Sequence, residues 1–320
     1  MSIAILCSGG DSAGMNPSIK TFVEKVLQEG ETPYLIYFGF EGLIDGDIKK
    51  ATHKDVSSII HKGGTILGSS RSKRFFEYKY RKQAFTNLEK LGIDKLVVLG
   101  GDGSFKALEV FYKEFGVNFV GIPSTIDNDI FGTDYCLGVD TALNVIRVSI
   151  DQIRDTASSF KRAFVIETMG RDCGYLALVS ALTSGAEVCV IPELEYNLKS
   201  LSKRLKQEIE DGRNYLLCVV SEGAKVTKEI VDWIQDDISM QARVTILGHT
   251  QRGGNPTVYD RLMAFKFTSM AVTKLLKEEN IGEVVVFKNS KFEFVSINYI
   301  NSEKYQIDKE LLTLASRLVG

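Results

Sequence analysis

What most constrains this chain is where its glycines stand. Ser8-Gly9-Gly10-Asp11-Ser12-Ala13-Gly14 directly follows an aliphatic run at 3–7, and Gly100-Gly101-Asp102-Gly103-Ser104 directly follows another at 95–99. Between them lies Gly63-Gly64-Thr65-Ile66-Leu67-Gly68-Ser69-Ser70-Arg71. A strand–glycine–helix junction offers unpaired backbone N–H groups at the positive end of a helix dipole, and a residue without a Cβ lets the chain close on an anion. Glycine is in excess, 28 of 320 residues, against about 22 at average usage. Proline is scarce, 5 in all, so the excess is not that of a disordered linker.

Short β-branched or aliphatic runs at 3–7, 33–38, 95–99, 118–122, 163–167, 187–191, 215–221, 243–247 and 283–287 alternate with helical patterns at 17–28, 81–91, 104–115, 198–212, 227–237 and 259–277. This alternation predicts an α/β fold, doubly wound, of mainly parallel sheet covered by helices. In such folds ligands bind beyond the C-terminal ends of the strands. The long unpatterned stretch 123–138 is expected to be a functional loop, and the helical pattern 139–158 after it is expected to lead into a second lobe.

Charge is balanced, 39 Lys plus Arg against 41 Asp plus Glu, so no global field favours nucleic acid or an anionic membrane surface. Eighteen apolar residues never run together, which excludes a helical membrane span. The opening residues lack the basic region of a secretory leader. Five dispersed cysteines without a C-x-x-C pair point to buried thiols and a cytoplasmic setting.

Within the long loop, Pro123-Ser124-Thr125-Ile126-Asp127-Asn128-Asp129 holds two carboxylates. If the segment is extended, Thr125, Asp127 and Asp129 share one face. Two close carboxylates raise one another's pKa unless a cation intervenes, so one suits a general base and the other magnesium. The phosphate-loop pattern G-x-x-x-x-G-K-[ST] and a G-x-G-x-x-G after the first strand are both absent, which disfavours a dinucleotide-binding dehydrogenase.

Gly100-Gly101-Asp102-Gly103-Ser104 taken with Thr125-Ile126-Asp127-Asn128-Asp129 resembles the 6-phosphofructokinase family of the bacterial, ATP-dependent type. Met169-Gly170-Arg171 and the stretch Arg243 to Gly254, closing with Asp260-Arg261, extend the likeness over nearly the whole chain. The resemblance implies two phosphofructokinase-like lobes of Rossmann-like sandwiches. These are residues 1–138 plus 251–301 for ATP, and 139–250 plus 302–320 for fructose 6-phosphate. It makes Asp127 the base for the sugar's 1-hydroxyl, with Thr125 and Arg171 stabilising the transferring phosphoryl group. Gly10, Arg71, Ser72, Gly101, Asp102, Gly103 and Ser104 would line the ATP site, and Asp102 and Asp129 would serve Mg²⁺. Thr125, Asp127, Arg162, Met169, Gly170, Arg171, Glu222, Arg243, His249 and Arg252 would bind fructose 6-phosphate. Arg162 and Arg243 would come from a neighbouring subunit of a homotetramer.

Gly103 favours ATP over pyrophosphate, whose enzymes carry Asp there. Ser124, Phe40 and Ala107 depart from the usual bacterial residues around the nucleotide. At the family's effector site the matching residues read Lys20, Glu24, His53, Arg154, Glu187, Asp211 and Arg213. The two acids Glu24 and Asp211 stand where cations are expected, so control by ADP or phosphoenolpyruvate is expected to be weak or altered. A pyrophosphate-dependent enzyme and a non-catalytic regulatory subunit of the same fold are the alternative readings.

Overall fold

The structure, a computed structural model, describes residues 1–319. The chain divides into two compact units, Met1–Thr141 with Arg252–Tyr305, and Ala142–Gln251 with Gln306–Gly320, of which residue 320 lies outside the described range. In chain order the first unit contributes β1 (Ser2–Cys7), β2 (Thr32–Ile36), β3 (Ile48–Lys50), β4 (Ile93–Gly100) and β5 (Asn118–Pro123). The second contributes β6 (Ala163–Thr168), β7 (Val188–Val190), β8 (Leu216–Ser221) and β9 (Ala242–Ile246). The chain then returns to the first for β10 (Gly282–Lys288) and β11 (Lys291–Ser296).

The first unit's sheet runs β11-β10-β5-β4-β1-β2-β3 and is parallel except at its two edges, β3 and β11. The second unit's sheet, β7-β8-β6-β9, is parallel throughout. All residues of β1 after Ser2 are buried, as are all of β8. That explains why these strands read as unbroken apolar runs: helices cover both faces. In the second unit Val165, Val190, Cys218 and Val220 pack against Leu201, Leu205, Ile230 and Trp233.

One buried charge sits in β4. Lys95 is wholly enclosed, and its ammonium donates to the Leu275 carbonyl at 2.7 Å and the Glu279 carboxylate at 2.7 Å. It thereby satisfies the C-terminal carbonyls of the helix Val258–Lys277, at the negative end of that helix's dipole.

The α/β fold is the one expected from the sequence, and the differences are local. The antiparallel edge strand β11 had no expected counterpart. It folds back from β10 through Asn289 and Ser290, both with positive φ, while Lys288 pairs with Lys291. A two-residue turn of that kind is usually signalled by glycine, and here there is none. The helix Tyr175–Ser184 was also unforeseen, because Tyr-Leu-Ala-Leu-Val-Ser-Ala-Leu carries too few polar residues to show a helical period. Among the described residues no helix is long and apolar enough to cross a membrane.

All five cysteines are buried, and no disulfide joins any of them. Burial pushes the Cys7 and Cys189 thiols up to about 12 and raises Cys218 well above the ordinary thiol value. At pH 8 a thiol near 12 is about 10⁻⁴ thiolate. Iodoacetamide at pH 8 should therefore leave Cys7, Cys189 and Cys218 unmodified in the native protein and label them in denaturant. Peptide mapping reads the outcome, and prompt native labelling of any of the three would contradict the burial described.

Candidate active site

Parallel pairing sends the chain out of β1, β4 and β5 at the same edge of the first unit's sheet, and serines stitch the loops that follow. Ser8 donates its N–H to the Leu99 carbonyl at 2.8 Å, and the Ser104 hydroxyl donates to the Ser8 hydroxyl at 2.9 Å. Ser124 donates its N–H to the Gly100 carbonyl at 3.0 Å, and the Ser12 and Ser124 hydroxyls share a bond of 2.8 Å. The segment 63–71 is drawn to the same place by Asn16, whose amide nitrogen donates to the Lys62 and Gly63 carbonyls and whose oxygen accepts the Ile66 N–H at 2.8 Å. Ser69 closes it with a bond to the Gly9 carbonyl. All three glycine clusters therefore meet in one unit.

Two glycines there have identifiable reasons. A Cβ on Gly10 would lie 2.5 Å from Nη1 of Arg252, which donates to the Asp11 carbonyl at 3.2 Å. Arg252, expected among the sugar-phosphate ligands, thus packs on the first glycine loop. Gly103 is the opposite case. It is exposed in the first turn of the helix Asp102–Phe115, and a Cβ there would meet nothing within 4 Å. Nothing inside the protein requires glycine at 103, so the residue makes sense as room for something bound.

Asp102 begins that helix and pairs with Lys106 at 2.7 Å. Gly101, before it, faces Thr125, whose Cβ would be 3.6 Å from an added methyl. Arg71 is exposed, whereas the Ser72 hydroxyl accepts the Phe75 N–H at 3.0 Å and starts the turn Arg74–Phe76. Phe40 is buried and stacked on Phe75 with ring centroids 4.2 Å apart, inside an aromatic cluster that includes Phe111. It packs within the aromatic core.

The acid loop differs from its expectation. Asn128 has φ of 51°, and Ile126 and Asp127 form a turn, so Thr125, Asp127 and Asp129 do not share a face by strand alternation. Asp127 is fully buried, and its N–H donates to Oγ1 of Thr125 at 3.2 Å. The buried Asn128 clasps the loop instead: its oxygen accepts the Cys136 N–H at 2.9 Å and its nitrogen donates to the Asp134 carbonyl at 3.2 Å. Asn tolerates a left-handed backbone, and its amide can both give and take.

At the far end of the loop the buried carboxylate of Asp260 accepts the N–H of Gly138 at 2.7 Å and of Thr141 at 2.8 Å. The hydroxyls of Tyr135 and Thr141 bond it as well. Burial raises the Asp260 pKa against those hydrogen bonds, and burial next to that carboxylate raises Tyr135. Neither the Asn128 clasp nor this one was evident in the sequence, although Asn between two Asp and an Asp three residues after Thr257, the helix N-cap, were visible.

In the second unit, β6, β8 and β9 deliver three more segments to one edge. After β6 comes Met169-Gly170-Arg171, after β8 the turn Glu222–Ala224, and after β9 the turn Gly248–Arg252 with an exposed His249. Oε1 of Glu222 accepts the N–H groups of Gly170 at 3.2 Å and Arg171 at 2.9 Å. Arg162 and Arg243 are not brought to this edge. They stand at the N-terminal ends of the paired strands β6 and β9, with Arg243 opposite Phe164. Within one chain they stand at the opposite edge from these loops, because parallel strands begin at the edge opposite to the one where they end.

The expected effector residues are already engaged. Lys20 pairs with Glu24. Arg154 bonds the Ser184 carbonyl and the Tyr215 hydroxyl. Arg213 is paired with Glu187 and, at 2.9 Å, with Glu208. Burial raises the Glu187 carboxyl, against the Leu217 N–H and the Arg213 charge.

Residues 2–275 match the family model described as Phosphofructokinase. The chain is 62% identical over 312 residues, 97% of it and 98% of the relative, to a protein of Sulfurimonas denitrificans named ATP-dependent 6-phosphofructokinase. It is 55% identical over the full length of both chains to one of the same name from Wolinella succinogenes. Among solved structures, phosphofructokinase from Saccharomyces cerevisiae superposes with a TM-score of 0.90 at 31% identity over 99% of this chain. This chain spans about half, 47%, of that yeast chain. The chain belongs to the phosphofructokinase family.

Proposed function

We propose that this phosphofructokinase transfers the γ-phosphoryl group of ATP to the 1-hydroxyl of fructose 6-phosphate, giving fructose 1,6-bisphosphate and ADP. The observation that carries the reading is the contact of the Gly100–Ser104 cradle with Thr125, two residues before a fully buried Asp127. A phosphate cradle thus adjoins a carboxylate able to take a proton. The names of the two bacterial relatives support ATP as donor, as does the open space at Gly103, which a charged side chain would occupy.

In this reading Asp127 takes the proton of the 1-hydroxyl as its oxygen bonds the γ-phosphorus and the bond to the β,γ-bridging oxygen breaks. Thr125 and Arg171 give hydrogen bonds to the equatorial oxygens, where the charge of the transferring group resides. Gly10, Arg71, Ser72, Gly101, Gly103 and Ser104 hold ATP in the first unit. Met169, Gly170, Glu222, His249 and Arg252, with Arg162 and Arg243 of another copy, hold the sugar phosphate, Arg forks suiting the phosphate dianion.

Mg²⁺, when bound, supplies charge neutralisation at the phosphates, and Asp102 and Asp129 would hold it. Among the described residues no three His, Cys, Asp or Glu are grouped for a metal. That suits an ion which takes one or two carboxylates and completes its shell with phosphate and water. With two soluble phosphorylated substrates and its five cysteines outside any disulfide, the enzyme is assigned to the cytoplasm.

The shared sites imply a homotetramer. Supporting this, Val258, Leu262 and Phe265 form an exposed apolar stripe along one face of the helix Val258–Lys277, and Val244 and Ile246 are exposed on the edge strand β9. Effector control is proposed to be weak, since Lys20 and Arg213 are paired with acids of the same chain and Arg154 is held by the Ser184 carbonyl and the Tyr215 hydroxyl. The neighbouring depression, about 370 Å³, is lined by Glu208 and Asp211 as well as Arg213.

Four outcomes are expected. Purified enzyme should phosphorylate fructose 6-phosphate with ATP and not with pyrophosphate, and Asp127→Ser should lower kcat by at least about 10² with the KM for fructose 6-phosphate little changed; full turnover of the variant would remove Asp127 from its role. Saturating phosphoenolpyruvate or ADP should shift half-saturation by less than the roughly fivefold of ordinary allosteric coupling. Sedimentation at micromolar concentration should give a tetramer that Phe265→Glu weakens, and a monomer would sink the shared-site assignment.

A further inference from the structure

We propose that Gln251 is a positioning residue for Arg171: together with Glu222 it clamps the turn Met169-Gly170-Arg171 by three successive backbone N–H groups and so fixes where the guanidinium starts. The inference rests on the role given to Arg171 above. Gln251 is 1% exposed, and its amide oxygen accepts the Met169 N–H at 3.1 Å while its nitrogen donates to the Gly248 carbonyl at 2.9 Å. Oε1 of Glu222 takes the next two N–H groups, Gly170 at 3.2 Å and Arg171 at 2.9 Å. The turn is thereby tied to the segments that follow β8 and β9 at once.

The clamped backbone is strained in a way that requires such support. Arg171 has φ of 52° and Gly170 has φ of 139°. A left-handed arginine is sterically disfavoured and persists where the surroundings over-determine it. The other side of the turn is equally confined. A Cβ at Gly170 would lie 2.3 Å from the Cys173 carbonyl, and one at Gly223 would lie 1.9 Å from the Arg171 carbonyl. Gly223 follows Glu222 directly, so one dipeptide packs on the carbonyl of Arg171 and binds its N–H.

Removing the Gln251 amide leaves a buried Met169 N–H without its acceptor, and the turn gains freedom to relax toward the right-handed region. A displacement of about 1 Å at a group acting on the reacting phosphoryl costs on the order of 10²-fold in rate. Glu222 cannot serve as the test, because it also stands among the sugar ligands. Gln251 touches only backbone in the bonds described.

The test combines kinetics with amide exchange. Gln251→Met keeps the bulk and lacks both polar ends. It should lower kcat by about 10- to 10²-fold, leave the KM for ATP unchanged, and add no further loss to Arg171→Ala, because both act through one group. Additive losses, or a raised KM for ATP at unchanged kcat, would overturn the proposal. Hydrogen exchange at single-amide resolution on the wild-type enzyme needs neither activity nor the variant to fold. The Met169, Gly170 and Arg171 amides should be strongly protected, and exchange at open-loop rates would refute the clamp. Wild-type enzyme inactive with ATP and fructose 6-phosphate would instead overturn the phosphoryl-transfer reading, leaving the exchange result to decide the clamp.

Discussion

The buried carboxylate of Asp260 is the interaction on which the first unit's site depends. An unpartnered charge at that depth would cost several kcal/mol. Here the Gly138 and Thr141 amides and the Tyr135 and Thr141 hydroxyls converge on it. In satisfying it they close the loop from Ser124 to Gly138 onto the helix that begins at Val139. With that end fixed and Asn128 bridging the middle, the turn bearing Thr125, Asp127 and Asp129 has little freedom left. Asp260 itself stands on the helix Val258–Lys277, whose opposite end is held by Lys95 of β4. A helix tied at both termini carries the rigidity of the sheet to a loop that has no regular structure.

In the second unit the loops at the site edge are held by separate side chains. Its three loop segments are tied by side-chain oxygens accepting backbone N–H groups: Glu222 and Gln251 on the turn at 169–171, and Glu193 on Gly174 at 2.8 Å. In both units polar side chains replace the sheet ladder at the point where the strands end. The reason is general, since backbone groups leaving a sheet must find partners elsewhere if they are buried.

The fold was largely legible because parallel, helix-covered strands announce themselves as short unbroken apolar runs. The glycine clusters at 9–14 and 100–103 were legible because each stands between such a run and a helix. What escaped depends on contacts distant in sequence or on a single backbone angle. Asn128 turned an expected alternation into a clasp. The stacking of Phe40 on Phe75 joins residues far apart in the sequence. Gln251 and Asp260 were visible as letters, yet an amide or a carboxylate in a sequence does not say which amides it will meet. The pairing of Arg213 with Glu187 likewise joins residues 26 positions apart.

The open space around Gly103 has a further consequence for how the protein must change over time. Alanine at that exposed helical position would meet no obstacle in the empty protein, and replacing a helical glycine by alanine is ordinarily worth about 0.5–1 kcal/mol. Selection for heat resistance alone would therefore push this position away from glycine, at the expense of the room proposed above for a bound nucleotide. On that proposal, glycine in the first turn of the helix is a compromise between the stability of the unliganded chain and the binding of a ligand.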